Sequence, residues 1–471
     1  MQPSHGILSI KDYGMSSPVG GQYQFSNTQG QNTNVQVTTD PNTPPPPPTP
    51  GQFNLWVITE SGTTLDTNIQ TPPGYQGVVV IGDNGQLVQV VSGNVSITDT
   101  DPPTVDTLMG GSGNDTLIGS TNTVLIGGSG STLMEGGVNS TIQGGSGPDT
   151  MIGGTGTSVI FAGLQPDLIT GGSGLTTIYG GIADTINGGA GNATIFGGIA
   201  DTITGGGGTA LIFAGSGDSI TGGAGNATIY GATGDTITAG SGANLIVGAA
   251  NDLISGGSGA TTMFGAMFDT LTGGSGSNQI SGAENDVIVG GSGTTSIVGN
   301  TGDTITAGSG ATTIDGSAGH QNITGGSGAD SIVGGAGDTI TGGTAGGADT
   351  IDASAGSQLV VGGAADMTVL GGTHDTIGGG SGNDQFELGN GRTQLITADS
   401  TAGGLDTVTG FKLSAGDRIT FQGATKSQIK HIVATQKQTH HHGVTSTIIS
   451  IGDTKLTLVG IGHVTANFFI T

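Results

Sequence analysis

One apolar column fixes the frame: Ile178, Ile195, Ile212, Ile229, Ile246, Met263, Ile280, Ile297 and Ile314 stand 17 residues apart. A second column, Ile186, Ile203, Ile220, Ile237, Ile254, Leu271, Ile288 and Ile305, keeps the same step half a period away. Each period therefore holds two half-turns, one of nine residues as in GGSGLTTIY (171–179) and one of eight as in GGIADTIN (180–187). Each is a glycine-led turn followed by a short β-branched strand. Glycine supplies 99 of the 471 residues and proline 15, which without a period would read as low complexity. Disorder keeps no such register, so the glycines mark the turns of a repeating coil. Their density and the missing 3.6-residue period exclude helices from the repeat. The pattern predicts an all-β fold, a parallel β-roll or β-solenoid of 17–18-residue coils, stacked at ~4.8 Å. One apolar residue per strand faces inward, so two isoleucine ladders suffice as a core and an apolar content of 33% is enough.

Four regions follow from composition. Residues 1–51 are rich in Ser, Gln, Asn, Thr and Gly and contain the run Pro44 to Pro48, which reads as a flexible leader with a polyproline II spacer. Residues 52–105 alternate β-branched segments (53–59, 77–81, 87–97) with turns at Ser61-Gly62 and Asp83-Asn84-Gly85. They read as a small β unit around the only tryptophan, Trp56, too small to bury much core alone. Residues 106–390 are the coil, and 391–471, where glycine thins out, read as a C-terminal β capping domain.

Acidic residues number 34 against 8 basic ones, a net charge of −26, which excludes nucleic acid and anionic membrane as natural partners and favours cations. No run of 18 apolar residues exists to span a membrane. Without cysteine there is no disulfide, thiol nucleophile or zinc–thiolate site. The first 18 residues, with one lysine and the short apolar patch Ile7 to Ile10, predict no Sec-type leader.

Four half-turns match G-G-x-G-x-D-x-U-x, a nonapeptide that recurs in calcium-binding parallel β-helices: 110–118 (GGSGNDTLI), 144–152 (GGSGPDTMI), 325–333 (GGSGADSIV) and 379–387 (GGSGNDQFE). Their candidate metal-site residues are Gly110, Gly113 and Asp115; Gly144, Gly147 and Asp149; Gly325, Gly328 and Asp330; and Gly379, Gly382 and Asp384. Turn carbonyls freed by glycine and an aspartate carboxylate are hard oxygen donors, and Ca²⁺ accepts six to eight of them. On these residues the chain resembles the repeats-in-toxin (RTX) family of bacterial secreted proteins. The resemblance implies a calcium-filled β-roll, calcium as cofactor, ions lodged between equivalent loops of successive coils, and an extracellular location.

Ligands should then recur one coil apart. Asp149, Asp167, Asp184, Asp201, Asp218, Asp235, Asp252, Asp269, Asp286 and Asp303 do so, stepping by 17 after one step of 18. At ~4.8 Å and an effective dielectric of about 20, adjacent ionised carboxylates facing each other would repel by roughly 3 kcal/mol. Calcium between coils would neutralise them; alternatively, each carboxylate caps its own turn on backbone N–H groups and points away from its neighbours. Loops such as GGIAD (180–184) and GAMFD (265–269) are one residue short of the nonapeptide. The opposite edge carries Thr176, Ala193, Ala210, Ala227, Asn244, Thr261, Asn278 and Thr295 at the acidic position, which reads as turn packing without calcium. Acids return on that edge at Asp330, Asp349, Asp366 and Asp384, with Asp338 and Asp375 on the other, so 325–387 is the foremost calcium region. His320 stands where the column's next aspartate would fall and reads as a tolerated turn residue; His440, His441 and His442 read as a solvated polar loop.

The segments 404–423 (GLDTVTGFKLSAGDRITFQG) and 445–471, with a hairpin at Gly452-Asp453 and a closing FFIT, resemble the C-termini of RTX proteins exported by type I machinery. That resemblance implies an uncleaved C-terminal export signal and folding on external calcium; the same residues also read as the cap a solenoid end requires. No HExxH, cysteine nucleophile or P-loop is present, so no enzyme is expected. The expected function is a secreted calcium-binding structural or adhesive protein of the bacterial cell surface or extracellular matrix, such as an adhesin or surface-layer component. Its partners would be calcium, the type I export machinery, and cell-surface polysaccharide or further copies of itself. Two alternatives stay open. One is ice- or crystal-face binding on outward hydroxyl pairs such as Thr202/Thr204, Ser219/Thr221, Thr236/Thr238 and Thr304/Thr306. The other is a polysaccharide-acting enzyme on the roll face.

Overall fold

A segment such as Thr-Ile-Thr between two glycine turns has room for one strand and nothing else, and the repeat folds accordingly. The computed structural model describes residues 7–9, 22–27, 33–38, 45, 47–59, 71–82, 87–99, 105–344, 346–397, 404–421 and 423–470. Two compact units divide the chain, Met1–Gly242 and Ala243–Thr471. Each contains two kinds of parallel strand, which form sheet 1 (strands entered from the main aspartate column) and sheet 2 (strands entered from the opposite edge).

In the first unit, Phe53–Thr59 lies parallel between Thr33–Thr38 and Gly77–Gly82. Gly77–Gly82 then turns back antiparallel onto Leu87–Ser92. From there the chain enters the coil: Leu87–Ser92 pairs in parallel with Thr107–Met109 of sheet 2, and Val95–Asp99 with Thr116–Ile118 of sheet 1. Trp56, Ile58, Tyr75, Val78 and Val80 form a separate buried cluster, and the Trp56 Nε1–H donates to Thr38 Oγ1 (2.8 Å). Coils then stack residue on equivalent residue, so that Ile186 pairs with Ile203 and Ile203 with Ile220. Because side chains alternate along a strand, the central residue of each points in. Ile178, Ile195, Ile212 and Ile229 of sheet 2 and Ile186, Ile203, Ile220 and Ile237 of sheet 1 are all buried, the two ladders expected from the period.

The second unit repeats this plan. Ile254, Leu271, Ile288 and Ile305 form one ladder and Ile246, Met263, Ile280, Ile297 and Ile314 the other. Parallel stacking persists past residue 391: Gly404–Thr409 pairs with Gln385–Leu388, and Arg418–Phe421 with Gln394–Thr397. The composition suggests only strands beyond this point, but Lys426–Thr435 is an α-helix. Locally the segment lacks glycine, opens with a Thr425/Gln428 capping box, and buries Ile429 and Ile432 three residues apart. A second correction concerns His440 and His441, which belong to the strand Lys437–His441 rather than to a loop; only His442 takes the turn, at φ 50°. That strand pairs antiparallel with Val444–Ile451, which turns at Gly452-Asp453 onto Thr454–Val459. The last residues fold back on the sheet: Phe468 stacks on Phe411 (5.4 Å), Phe469 on Phe421 (6.1 Å), and the Ile470 N–H donates to Ile419 O (3.0 Å).

Candidate functional site

Turn length changes edge along the chain. The nonapeptides 110–118 and 144–152 lead into sheet 1, whereas 325–333 and 379–387 lead into sheet 2. Between them the nine-residue turn moves from one edge to the other, through two successive nine-residue turns at 153–161 and 162–170. The aspartate column nevertheless continues unbroken through the change. In nine-residue turns the carboxylate accepts from the N–H four residues back, as Asp115 does from Gly111 (2.7 Å), Asp149 from Gly145 (2.7 Å) and Asp167 from Gly163 (2.6 Å). In eight-residue turns it accepts from three back, as Asp184 does from Gly181 (2.6 Å) and Asp201 from Gly198 (2.7 Å). The missing residue is absorbed by left-handed backbone immediately before the aspartate: Ala183 (φ 59°), Ala200 (60°), Gly217 (75°), Gly234 (80°), Asn251 (66°), Phe268 (67°), Asn285 (66°) and Gly302 (83°).

The second carboxylate oxygen reaches the preceding coil. Asp149 N–H donates to Asp167 Oδ1 (2.7 Å), Asp167 to Asp184, Asp184 to Asp201 and Asp201 to Asp218 (2.8 Å each), and Asp218 to Asp235 (2.9 Å). In the second unit Asp252 donates to Asp269 (2.8 Å), Asp269 to Asp286 (2.9 Å) and Asp286 to Asp303 (2.8 Å). Each carboxylate thus pins its own turn with one oxygen and ties to the previous coil with the other. The capping alternative holds for the first bond; the expectation that side chains point away from their neighbours does not, because the neighbour's amide is the second partner. All these carboxylates are buried. Burial pushes the Asp218 and Asp286 carboxyls up, backbone N–H bonds pull them down, and adjacent aspartates add a smaller upward push, the balance standing at about 6.

Further along the second unit the column alternates acid with neutral residue: Asp303, Gln321, Asp338, Gln358, Asp375, Thr393, Asp417. His320 stands one place before the column, in left-handed backbone (φ 57°), and Gln321 occupies the position itself. The glutamine amides donate to Gly316 O and Gly334 O, while both Oε1 atoms stay buried without a hydrogen bond. On the other edge, Asp330 accepts from Thr312 N–H (3.0 Å), Asp349 from Asp330 (3.1 Å) and Asp384 from Met367 (3.0 Å). Met367, not Asp366, therefore holds the intervening column position. Asp366 lies one residue outward and exposed, accepting from the Asn383 N–H (2.8 Å). The reason is register: the strand Met367–Gly371 pairs Met367 with Asp349. Two column members went unnoticed in the sequence. Asp406 accepts from Asp384 N–H (3.2 Å), and Asp417 from Thr393 (3.0 Å) and Lys412 (2.7 Å). Burial, with the Asp384 charge behind it, raises the Asp406 carboxyl to about 7.

The fourth-position glycines of the nonapeptides pack closely on loop carbonyl oxygens of the neighbouring coil. A Cβ on the fourth-position glycines would strike a carbonyl oxygen of the preceding coil: Gly113 on Gly93 O (2.1 Å), Gly147 on Gly130 O (2.3 Å), Gly328 on Gly310 O (2.3 Å) and Gly382 on Ala365 O (2.4 Å). First-position glycines face the following coil or its carboxylate: Gly110 lies against Gly128 N, Gly144 against Gly163 N, Gly325 against Gly343 N and Gly379 against Asp406 Oδ2. The four nonapeptides thus offer loop carbonyls one coil apart and a carboxylate, an all-oxygen donor set that fits Ca²⁺. Among the described residues no three His, Cys, Asp or Glu side chains gather into a metal cluster, so a cation here would rest largely on carbonyls.

The comparisons agree with this donor chemistry. The family described as RTX calcium-binding nonapeptide repeat (4 copies) matches residues 104–132, 134–169, 143–178, 229–263, 265–297 and 306–340. No curated protein was found to match the chain in sequence.

Proposed function

Since this chain is an RTX-repeat protein whose nonapeptide repeats are calcium-binding, we propose that it serves as a secreted structural or adhesive scaffold of the cell surface or matrix. Calcium would occupy the loops of Gly110, Gly113 and Asp115; Gly144, Gly147 and Asp149; Gly325, Gly328 and Asp330; and Gly379, Gly382 and Asp384. Bound there, the ion supplies charge neutralisation and ties successive loops. The observation that carries this division is that each of the four nonapeptides holds glycine-spaced carbonyls and a carboxylate in one nine-residue turn, a combination the shorter turns from Asp184 to Asp303 lack; the carboxylates of both kinds of turn accept two backbone N–H bonds. That middle stretch would hold its coils through the amide ladder. The type I export reading rests on the resemblance of 404–423 and 445–471; the packing of Phe468 and Phe469 on Phe411 and Phe421 suits the capping role of the same residues.

Calorimetric titration of chelator-treated protein with calcium, alongside circular dichroism, tests the proposal. Binding should be saturable, should raise the melting temperature, and should weaken in Asp330→Asn and Asp384→Asn while persisting in Asp201→Asn. A chain that binds no calcium, or that loses binding equally in all three variants, would overturn the assignment.

A further inference from the structure

Every acid between residues 105 and 242 except Glu135 is buried, and no lysine or arginine stands between Lys11 and Arg392. Despite the overall charge of −26, the coils of the first unit turn an almost uncharged surface to solvent. On that surface the sheet 2 strands end in Phe161, Tyr179, Phe196, Phe213 and Tyr230, one per coil. Their rings stack at 4.9, 5.0, 5.1 and 5.2 Å with planes within 9° of parallel. Stacked faces cover one another and leave the ring edges outward. Three residues after each of the first three rings, the following turn adds another exposed apolar side chain, Leu164 (78% exposed), Ile182 (62%) and Ile199 (55%).

We propose that this strip is the contact through which two copies of the chain associate, unit 1 against unit 1. Area is the first argument. Phe161, Tyr179 and Tyr230 are each about 40% exposed; at roughly 200 Å² per large side chain they and the three turn residues leave on the order of 600 Å² uncovered. The half-buried Phe196 and Phe213 add to this. The total reaches the upper end of what a monomer leaves bare, roughly 300–600 Å², and approaches the roughly 800 Å² per partner of a stable interface. Charge is the second: two polyanions meet at low electrostatic cost only where neither presents ionised groups. Repeat is the third. A file with one rung per coil interdigitates with a surface of the same spacing, which a second copy supplies, and a two-fold axis makes the same strip serve both partners. A sugar polymer fits less well, because stacking onto sugar needs ring faces and these are covered.

Sedimentation velocity of the full chain in calcium, over a concentration series, tests the inference with Ile182→Glu/Ile199→Glu and with Thr221→Glu, an exposed sheet 1 position, as control. Circular dichroism confirms that both variants fold. A wild-type dimer retained in Thr221→Glu and weakened at least ~100-fold in the double variant, where like charges would face each other, is the expected result. A wild type that stays monomeric, or a double variant that dimerises like wild type, overturns it. A monomeric wild type whose retention on an insoluble neutral glucan is lost in the double variant overturns it too, and gives the strip to carbohydrate. The strip begins beyond the second nonapeptide, so failure here leaves the calcium reading intact.

Discussion

Replacing Asp201 by alanine tests whether the carboxylate column is a structural ladder. Its oxygens accept the N–H groups of Gly198 (2.7 Å) and Asp184 (2.8 Å), and the side chain is 1% exposed. Asp201→Ala strands both donors, at about 1–3 kcal/mol each. It also removes a desolvated carboxyl whose pKa burial raises, and relieves repulsion with Asp184. The net loss is then about 2–4 kcal/mol. Asp201→Asn keeps one acceptor oxygen and removes the charge, so its loss is about 1 kcal/mol. In a solenoid each coil touches only its neighbours, and the damage stays local. Amide hydrogen exchange in Thr185–Asn187 and Thr202–Thr204 should therefore accelerate roughly 30- to 1000-fold in the alanine variant, at tenfold per 1.4 kcal/mol. Exchange followed by mass spectrometry should show the same acceleration in chelator and in calcium. Protection indistinguishable from wild type in chelator would refute the ladder, and an effect seen only with calcium would make Asp201 a ligand.

Acidification should stabilise the metal-free protein. Every resolved carboxyl shift is upward, to about 6 for Asp218 and Asp286 and about 7 for Asp406. Between the ordinary carboxylate range and those values the folded chain binds more protons than the unfolded one, so stability falls as pH rises through that window. Melting curves in chelator should move upward from pH ~8 to ~5, and Asp406→Asn should flatten the upper part of that dependence. Phe268→Gly should stabilise its coil by about 1 kcal/mol by relieving left-handed backbone on a bulky residue at φ 67°, read as slower exchange across Thr270–Thr272. Two glycine-to-alanine changes separate conformational from steric demand. Gly217→Ala, at φ +75° with nothing within 4 Å of the added carbon, should cost about 1 kcal/mol, whereas Gly198→Ala drives Cβ to 1.6 Å from Gly181 O and should disrupt the coil. Equal costs by denaturant titration would count against this account.

The period was legible because each coil restates it: one inward isoleucine per strand, placed by alternation and paired with its equivalent 17 residues on, leaves no other register that keeps the core apolar. What arithmetic on 17 misses is where a turn absorbs an extra residue. His320 sits 17 after Asp303, yet Ile323 pairs with Ile305, an 18-residue step that puts Gln321 in the column. Counting from the ladder isoleucines rather than from the previous aspartate would have found it. The same count places Met367, not Asp366, before Val369. Asp406 and Asp417 were readable too, since Asp406-Thr407-Val408 and Asp417-Arg418-Ile419 repeat the Asp-x-apolar signature of Asp184-Thr185-Ile186; thinning glycine masked the continuity.

Net charge is the instructive case, because −26 on the chain as a whole favours cations as partners. The carboxylates that make most of it in the first unit's coils face inward onto amides, where each is paired with backbone N–H groups rather than with solvent or a counter-ion. The calcium reading then rests on glycine-spaced loop carbonyls set beside a carboxylate, not on the acid count. The surface left by that burial is neutral, and a neutral, periodic, apolar-edged face is one that a second copy can approach.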